Sequence, residues 1–256
     1  VTDIHSFIAV GGSENVGNWL PGNSTDQVGN MIANSDGITV RYLDPTSIFV
    51  VDPVVTVANA RIHTTTDSGL ELGDIISIAD CSSADVVVIT RDPTTPACNS
   101  AINPACDSNF EHNTGNVAGA QPGNRLRDLS KTYNNDASIL KFYAARYFIG
   151  DDANGNPVLR RMTGVNKDDG AALVEDLVEG VENMQILYGE DTDNDVVADI
   201  YRNATTVVDW DNVVSVRLSL LFRTVDEYGA EVYQNTPDLL GTIINPPDDR
   251  RRRRVF

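Results

Sequence analysis

Four aspartates in one short stretch, Asp191, Asp193, Asp195 and Asp199, are the residues of this chain best placed to do chemistry. Carboxylates at every second position of a tight loop can turn their oxygens inward on a hard cation, and calcium accepts roughly six to eight oxygen ligands. Val197 stands where a backbone carbonyl could join them. The expected ligand set is therefore Asp191, Asp193, Asp195 and Asp199 and the expected cofactor is calcium; the alternative is a solvated acidic turn.

The spacing resembles the start of an EF-hand loop and departs from it twice. Val196 stands where glycine permits the sharp turn, and Arg202 takes the place of the closing glutamate. A second acidic turn, Asp151, Asp152 and Asn154 before Gly155, reads as an Asx-rich hairpin turn held by local backbone hydrogen bonds. Cys98 and Cys106 flank a short loop across which a disulfide closes readily in an oxidising compartment. Cys81 is then left to stay unpaired in the interior or to find a partner outside these residues. There is no C-x-x-C and no histidine at ligand spacing, so the cysteines do not read as a metal site. His5, His63 and His112 are far apart, and no G-x-S-x-G elbow, P-loop or G-x-G-x-x-G is present. The chain does not read as an enzyme.

These residues must be held by a real core. The chain has 256 residues of which 41% are hydrophobic, enough for one large domain or two small ones. Asp and Glu outnumber Lys and Arg by 37 to 19, and the net charge of -18 repels nucleic acid and anionic lipid surfaces. Arg250 to Arg254 form a local basic run, read as a solvated strand start or a contact with an acidic partner surface. No stretch approaches the roughly 20 apolar residues that span a bilayer. Both ends look cut, Val1 opening abruptly and Phe256 stopping where an apolar run begins, so a longer precursor is expected.

The positioning elements read mostly as strands. Gly37 to Leu43 alternates, Ile48 to Val51 is a short apolar run, and Asp74–Asp80 and Asp85–Thr90 are β-branched. From Arg91 to Lys131 the apolar pattern gives way to Pro, Asn, Gly and Ser, predicting a surface loop insertion over 91–131. Ile139–Ile149 and Val158–Met162 flank a hairpin turn. Leu173, Val174, Leu177, Val178 and Val181 lie near helical spacing and predict a short helix over Ala171–Val181. Trp210–Arg223 is the strongest strand, with Val214, Val216, Leu218, Leu220 and Phe222 on one face.

The run Leu177 to Asp193, followed by Asp209-Trp210-Asp211-Asn212-Val213-Val214-Ser215-Val216-Arg217-Leu218-Ser219-Leu220-Leu221, resembles the signature region of PilW-type minor pilins of the type IV pilus. Ser35-Asp36-Gly37 with the strand after it, Ala79 to Asp85, Tyr147-Phe148-Ile149-Gly150 with its Gly-Asn-Pro turn, and Asp249 to Phe256 extend the resemblance. In that family a glycine usually stands at the position of Asn194. The resemblance implies one α+β pilin-like domain over 1–256, antiparallel sheets with the 91–131 insertion, whose N-terminal pilin helix and last strand lie outside these residues. It implies a prepilin peptidase site and a long apolar helix upstream, so that the membrane is met only through that helix, and an upstream cysteine that partners Cys81. The implied partners are other minor pilins and pilus tip proteins, with no nucleic acid. The implied location is the inner membrane and periplasm before assembly and the cell-surface pilus after it. The competing classes are a free-standing extracellular calcium-dependent adhesin or binding module, and a secreted hydrolase.

Overall fold

The structure, a computed structural model, describes residues 10–13, 31–51, 61–65, 69–94, 108–116, 123–165 and 172–256. The first strands are β1 (Val10–Ser13), β2 (Gly37–Phe49), β3 (Arg61–Thr64), β4 (Ile75–Ala79), β5 (Ala84–Val88) and β6 (Arg91–Thr94). There follow β7 (Ser108–Glu111), β8 (Gly115–Asn116), β9 (Gly123–Asn124), β10 (Ser138–Asp151), β11 (Pro157–Val165) and β12 (Ala172–Glu179). The last are β13 (Val181–Glu190), β14 (Ile200–Arg202), β15 (Val213–Arg223), β16 (Asp238–Leu239), β17 (Thr242–Ile243) and β18 (Arg253–Val255). A one-turn 3-10 helix, Trp210–Asn212, precedes β15.

The α+β expectation is overturned, because the described residues contain no α-helix and their regular structure is nearly all strand. Ala171–Val181 shows why. Instead of the expected helix, Ala172–Glu179 is β12, with Arg160 paired to Asp176 at 2.6 Å and Arg161 paired to Glu175 across the hairpin. An isolated helix of about ten residues is marginal in water, whereas pairing with β11 satisfies one edge of the backbone. The chain then turns at Gly180, whose φ is +78° and where a Cβ would stand 2.5 Å from the Arg223 carbonyl oxygen. Only glycine fits that approach.

Contacts divide the chain into two units, and β2 and β10 run through both. The first comprises Val1–Phe7, Arg41–Tyr143 and Val165–Ala171. Here β4 pairs antiparallel with β5 and with the start of β10, and β7 lies between β3 and β6. Ile48, Ile62, Ile76, Ile89, Phe110 and Tyr133 form its core. The described part of 91–131 is not bare loop: it supplies β6 to β9 and buries Phe110 and Leu129 in that core. Buried Asp85 ties this region down, its Oδ2 accepting from the Ser130 amide and hydroxyl, each at 2.8 Å, and from the Tyr133 hydroxyl at 3.0 Å.

The second unit comprises Ile8–Val40, Ala144–Gly164 and Ala172–Phe256. Its main sheet has the order β14-β13-β15-β18, every pair antiparallel. Met184 faces Leu220, Ile186 faces Leu218 and Tyr188 faces Val216 across the β13–β15 ladder. Ile149, Val181, Met184, Ile186 and Tyr188 are the centre of its core, and Tyr188 meets Trp210 edge to face at 4.8 Å. Both aromatics are packing residues.

Candidate metal loop and assembly face

Residues 34–36 and β13 are laced together before the acidic loop begins. The Asp36 carboxylate accepts the Ile186 amide at 2.9 Å, the Ser35 hydroxyl accepts the Met184 amide at 3.1 Å, and the Asn183 and Gln185 side-chain amides both donate to the Asn34 carbonyl. This fixes the strand that ends in Glu190 and leads into Asp191. Glu190, buried, accepts the Val208 and Asp209 amides at 2.8 and 2.9 Å and pairs with Arg202 at 2.7 Å. Burial raises its carboxyl, but the two amides and the guanidinium outweigh that and hold it below its ordinary value. Sequence reasoning missed Glu190. Its only signal was a carboxylate at the end of an apolar strand, next to the acidic run.

Asp191 shapes the loop itself. Its Oδ1 accepts the amides of Asp193, Asn194 and Asp195 at 3.1, 2.7 and 3.3 Å, and its Oδ2 accepts the Val196 amide at 2.7 Å. Burial pushes this carboxyl up, and the four amides together bring it below its usual value. Asn194 and Val196 take left-handed backbone angles, φ +65° and +67°. Asn tolerates that region. For β-branched Val196 it is a strained conformation, held by the Asp191 cap, at the place where an EF-hand loop uses glycine.

Asp191, Asp193 and Asp195 each bring a carboxylate oxygen within 4.8 Å of the others. These three could hold a cation and would supply three of the roughly six to eight oxygens calcium takes. Asp199 is not in that group: its Oδ2 accepts the Thr192 amide at 2.8 Å and hydroxyl at 2.7 Å. Those bonds hold its carboxyl below the ordinary value. Arg202, at the position of the missing closing glutamate, is engaged with Glu190.

The remaining candidates fall apart spatially or chemically. Asp152 accepts the Asn154 and Asn156 amides, each at 2.8 Å, which makes its turn an Asx-type hairpin turn. Cys98, Cys106 and His5 lie outside the described residues, and Cys81 is exposed with a free thiol. His63 lies on β3 and His112 is buried just past β7. Three of the five arginines of the run are held in ion pairs within the fold. Arg253 is clamped by Glu182 and Asp249, Arg250 pairs with Glu227, and Arg251 pairs with Asp249.

The other functional feature of this unit is its incompletely covered sheet face. Alternation along β13 and β15 puts Met184, Ile186, Tyr188, Val216, Leu218 and Leu220 on one side. The β13 half is sealed, while Val216, Leu218 and Phe256 remain 38, 50 and 63% exposed. Phe256 belongs to the same side, since it exchanges both backbone bonds with Leu220 at 3.0 Å and its ring meets Phe222 at 5.2 Å. The loop, the lacing at 183–190 and this face all lie within the stretch that comparison with known families picks out. No curated protein and no solved structure matches the chain. Residues 146–256 match the family model described as Type IV Pilus-assembly protein W, which supports a PilW-type assignment for this part of the chain.

Proposed function

We propose that this chain is the globular part of a minor pilin, which joins other minor pilins in a complex that primes type IV pilus assembly near the fibre tip. The family match supports a role in pilus assembly. The observation that carries the finer reading is the half-covered face of the β13–β15–β18 sheet. A row of Val216, Leu218 and Phe256 left in water beside a sealed core calls for an apolar cover, and a pilin-type helix upstream, or a neighbouring subunit, would provide one. On this reading the subunit acts as a structural part with no catalytic step.

The acidic loop belongs to the same proposal. Asp191, Asp193 and Asp195 would take calcium, and the ion would relieve the repulsion between them while the sheet ends that the loop joins stay in register. A free-standing calcium-dependent binding module would share this loop but would not need the apolar face. Mild detergent extraction of the tagged full-length protein from its own cells separates the two. Co-isolation with other pilus subunits is expected, and recovery of the protein free of every pilus component would sink the minor-pilin reading.

A further inference from the structure

The first unit buries polar atoms that the fold leaves unanswered. His112 is 1% exposed and neither of its ring nitrogens has a hydrogen-bond partner among the described residues; fully buried Asp85 has none for its Oδ1. An unpaired imidazole in the interior is costly, and its charged form costs more. The charges of Asp85 on β5 and of Asp128 favour the imidazolium, and that of Arg127 opposes it. Other charged groups of this region are spent on one another, Glu111 holding Arg61 of β3 and Arg91 of β6, and Lys131 holding Asp80. His63 of β3 stands opposite Asn109 on β7.

His112 stands where the chain leaves β7 for the short β8–β9 pair. Among the described residues these two strands form a sheet of their own. What joins them to β5 and to the start of β6 runs through side chains. Asn124 of β9 takes the Val88 amide on its Oδ1 and gives its Nδ2 to the Val88 carbonyl, each at 2.8 Å, as a neighbouring strand would. The Asn113 amide donates to the Thr90 hydroxyl, also at 2.8 Å. Attachment by a few bonds of this kind belongs to the low end of local stability.

We propose that His112 is an acid-operated release for the β8–β9 pair: a proton on its ring swings the pair away from β5 and bares the backbone of Val88. The imidazolium carries two N–H donors, and the one vacant buried carboxylate oxygen whose charge acts on it is Asp85 Oδ1. Its second donor is satisfied by water, which reaches the ring when the pair following it moves out. Asp85 itself stays in place, because Ser130 and Tyr133 hold its other oxygen. The end of β5 is thus covered at neutral pH and uncovered in acid.

Amide hydrogen exchange of the whole chain, corrected for its intrinsic pH dependence, tests this at pH 7.5 and 4.5. The closed ring titrates at about 4 and a ring in water near 6.5, so the Val88 amide should open roughly 70-fold more often at the lower pH. The Ile186 amide, held by Asp36 in the second unit, should keep its protection. Asn124→Ala should free the Val88 amide at both pH values, which shows that this amide reports the pair. His112→Phe, which fills the site and takes no proton, should make its protection independent of pH. In the unaltered protein the midpoint of the Val88 change should coincide with the midpoint of the His112 ring signal in a nuclear magnetic resonance titration, a readout that needs no variant to fold. Unchanged protection of Val88, a parallel loss at Ile186, an equal response in His112→Phe, or separate midpoints would overturn the proposal.

Discussion

Asp191 engages both carboxylate oxygens with the loop that it begins, and the consequences are measurable. Four amides converge on it, so Asp191→Ala should lower the melting temperature even without a cation, through loss of the cap that holds Val196 in its strained angles. Asp193 has no such duty for its side chain. Calcium at millimolar concentration should raise the melting temperature of the wild type, and Asp193→Ala should remove most of that rise with little change to the apo protein. An unmoved wild-type curve would reduce the loop to a solvated turn. His112 gives the pH dependence. Burial holds it down to about 4 against an ordinary 6.5, with the charges of Asp85, Arg127 and Asp128 acting on it. The unfolded chain therefore takes up a proton that the folded chain refuses. The stability it contributes is complete above pH 6.5 and falls as pH drops toward 4, by roughly 3 kcal/mol in all. Carboxylates held low, such as Asp249 at about 2 beside Arg253, give up their contribution only below that window. Urea unfolding at pH 7.5, 5.5 and 4.5 should show the first loss, and His112→Gln should flatten it.

At the scale of elements, the hinge between β12 and β13 carries the clearest single-residue prediction. Gly180→Ala places a methyl 2.5 Å from the Arg223 carbonyl at a φ of +78°, and should cost about 1–3 kcal/mol in equilibrium unfolding. A neutral result would mean that the turn relaxes freely. The same hinge shows how far the sequence can be read. Alternation within Trp210–Arg223 pointed to a strand because a period of two has no helical counterpart, although the strand begins at Val213, after the 3-10 turn Trp210–Asn212. Ala171–Val181 satisfied helical spacing equally well, and its strand conformation is decided by pairing with β11 and by the arginines at 160 and 161, which no local window contains. The alternation also left open which half of the β15 face would be covered. That depends on Trp210, Val207 and Ala204, which pack against the core cluster that includes Met184, Ile186 and Tyr188 of β13. The acidic loop was legible as a cluster from its spacing, while the departure of Asp199 was not, since it follows from the Thr192 hydroxyl competing for that carboxylate.

For the whole molecule, the net charge of -18 and the arginine run at 250–254 are parts of one arrangement. Arg251 and Arg253 neutralise Glu182 and Asp249 where the last strand joins the sheet, while exposed Arg252 and Arg254 are in no ion pair among the described residues. The family match begins at Arg146, and the sheet it covers is the one that keeps an apolar face in water. Substituting Leu218→Asp should leave the isolated protein folded, because that side chain is half exposed, yet should block whatever covers the face in the cell. The decisive measurement is the count of surface pili by electron microscopy in cells that lack this gene and carry either the wild-type copy or the Leu218→Asp copy. The proposed role predicts abundant pili with the wild type and few or none with the variant at equal protein level. Full piliation in the deletion strain itself, or with the variant, would contradict it.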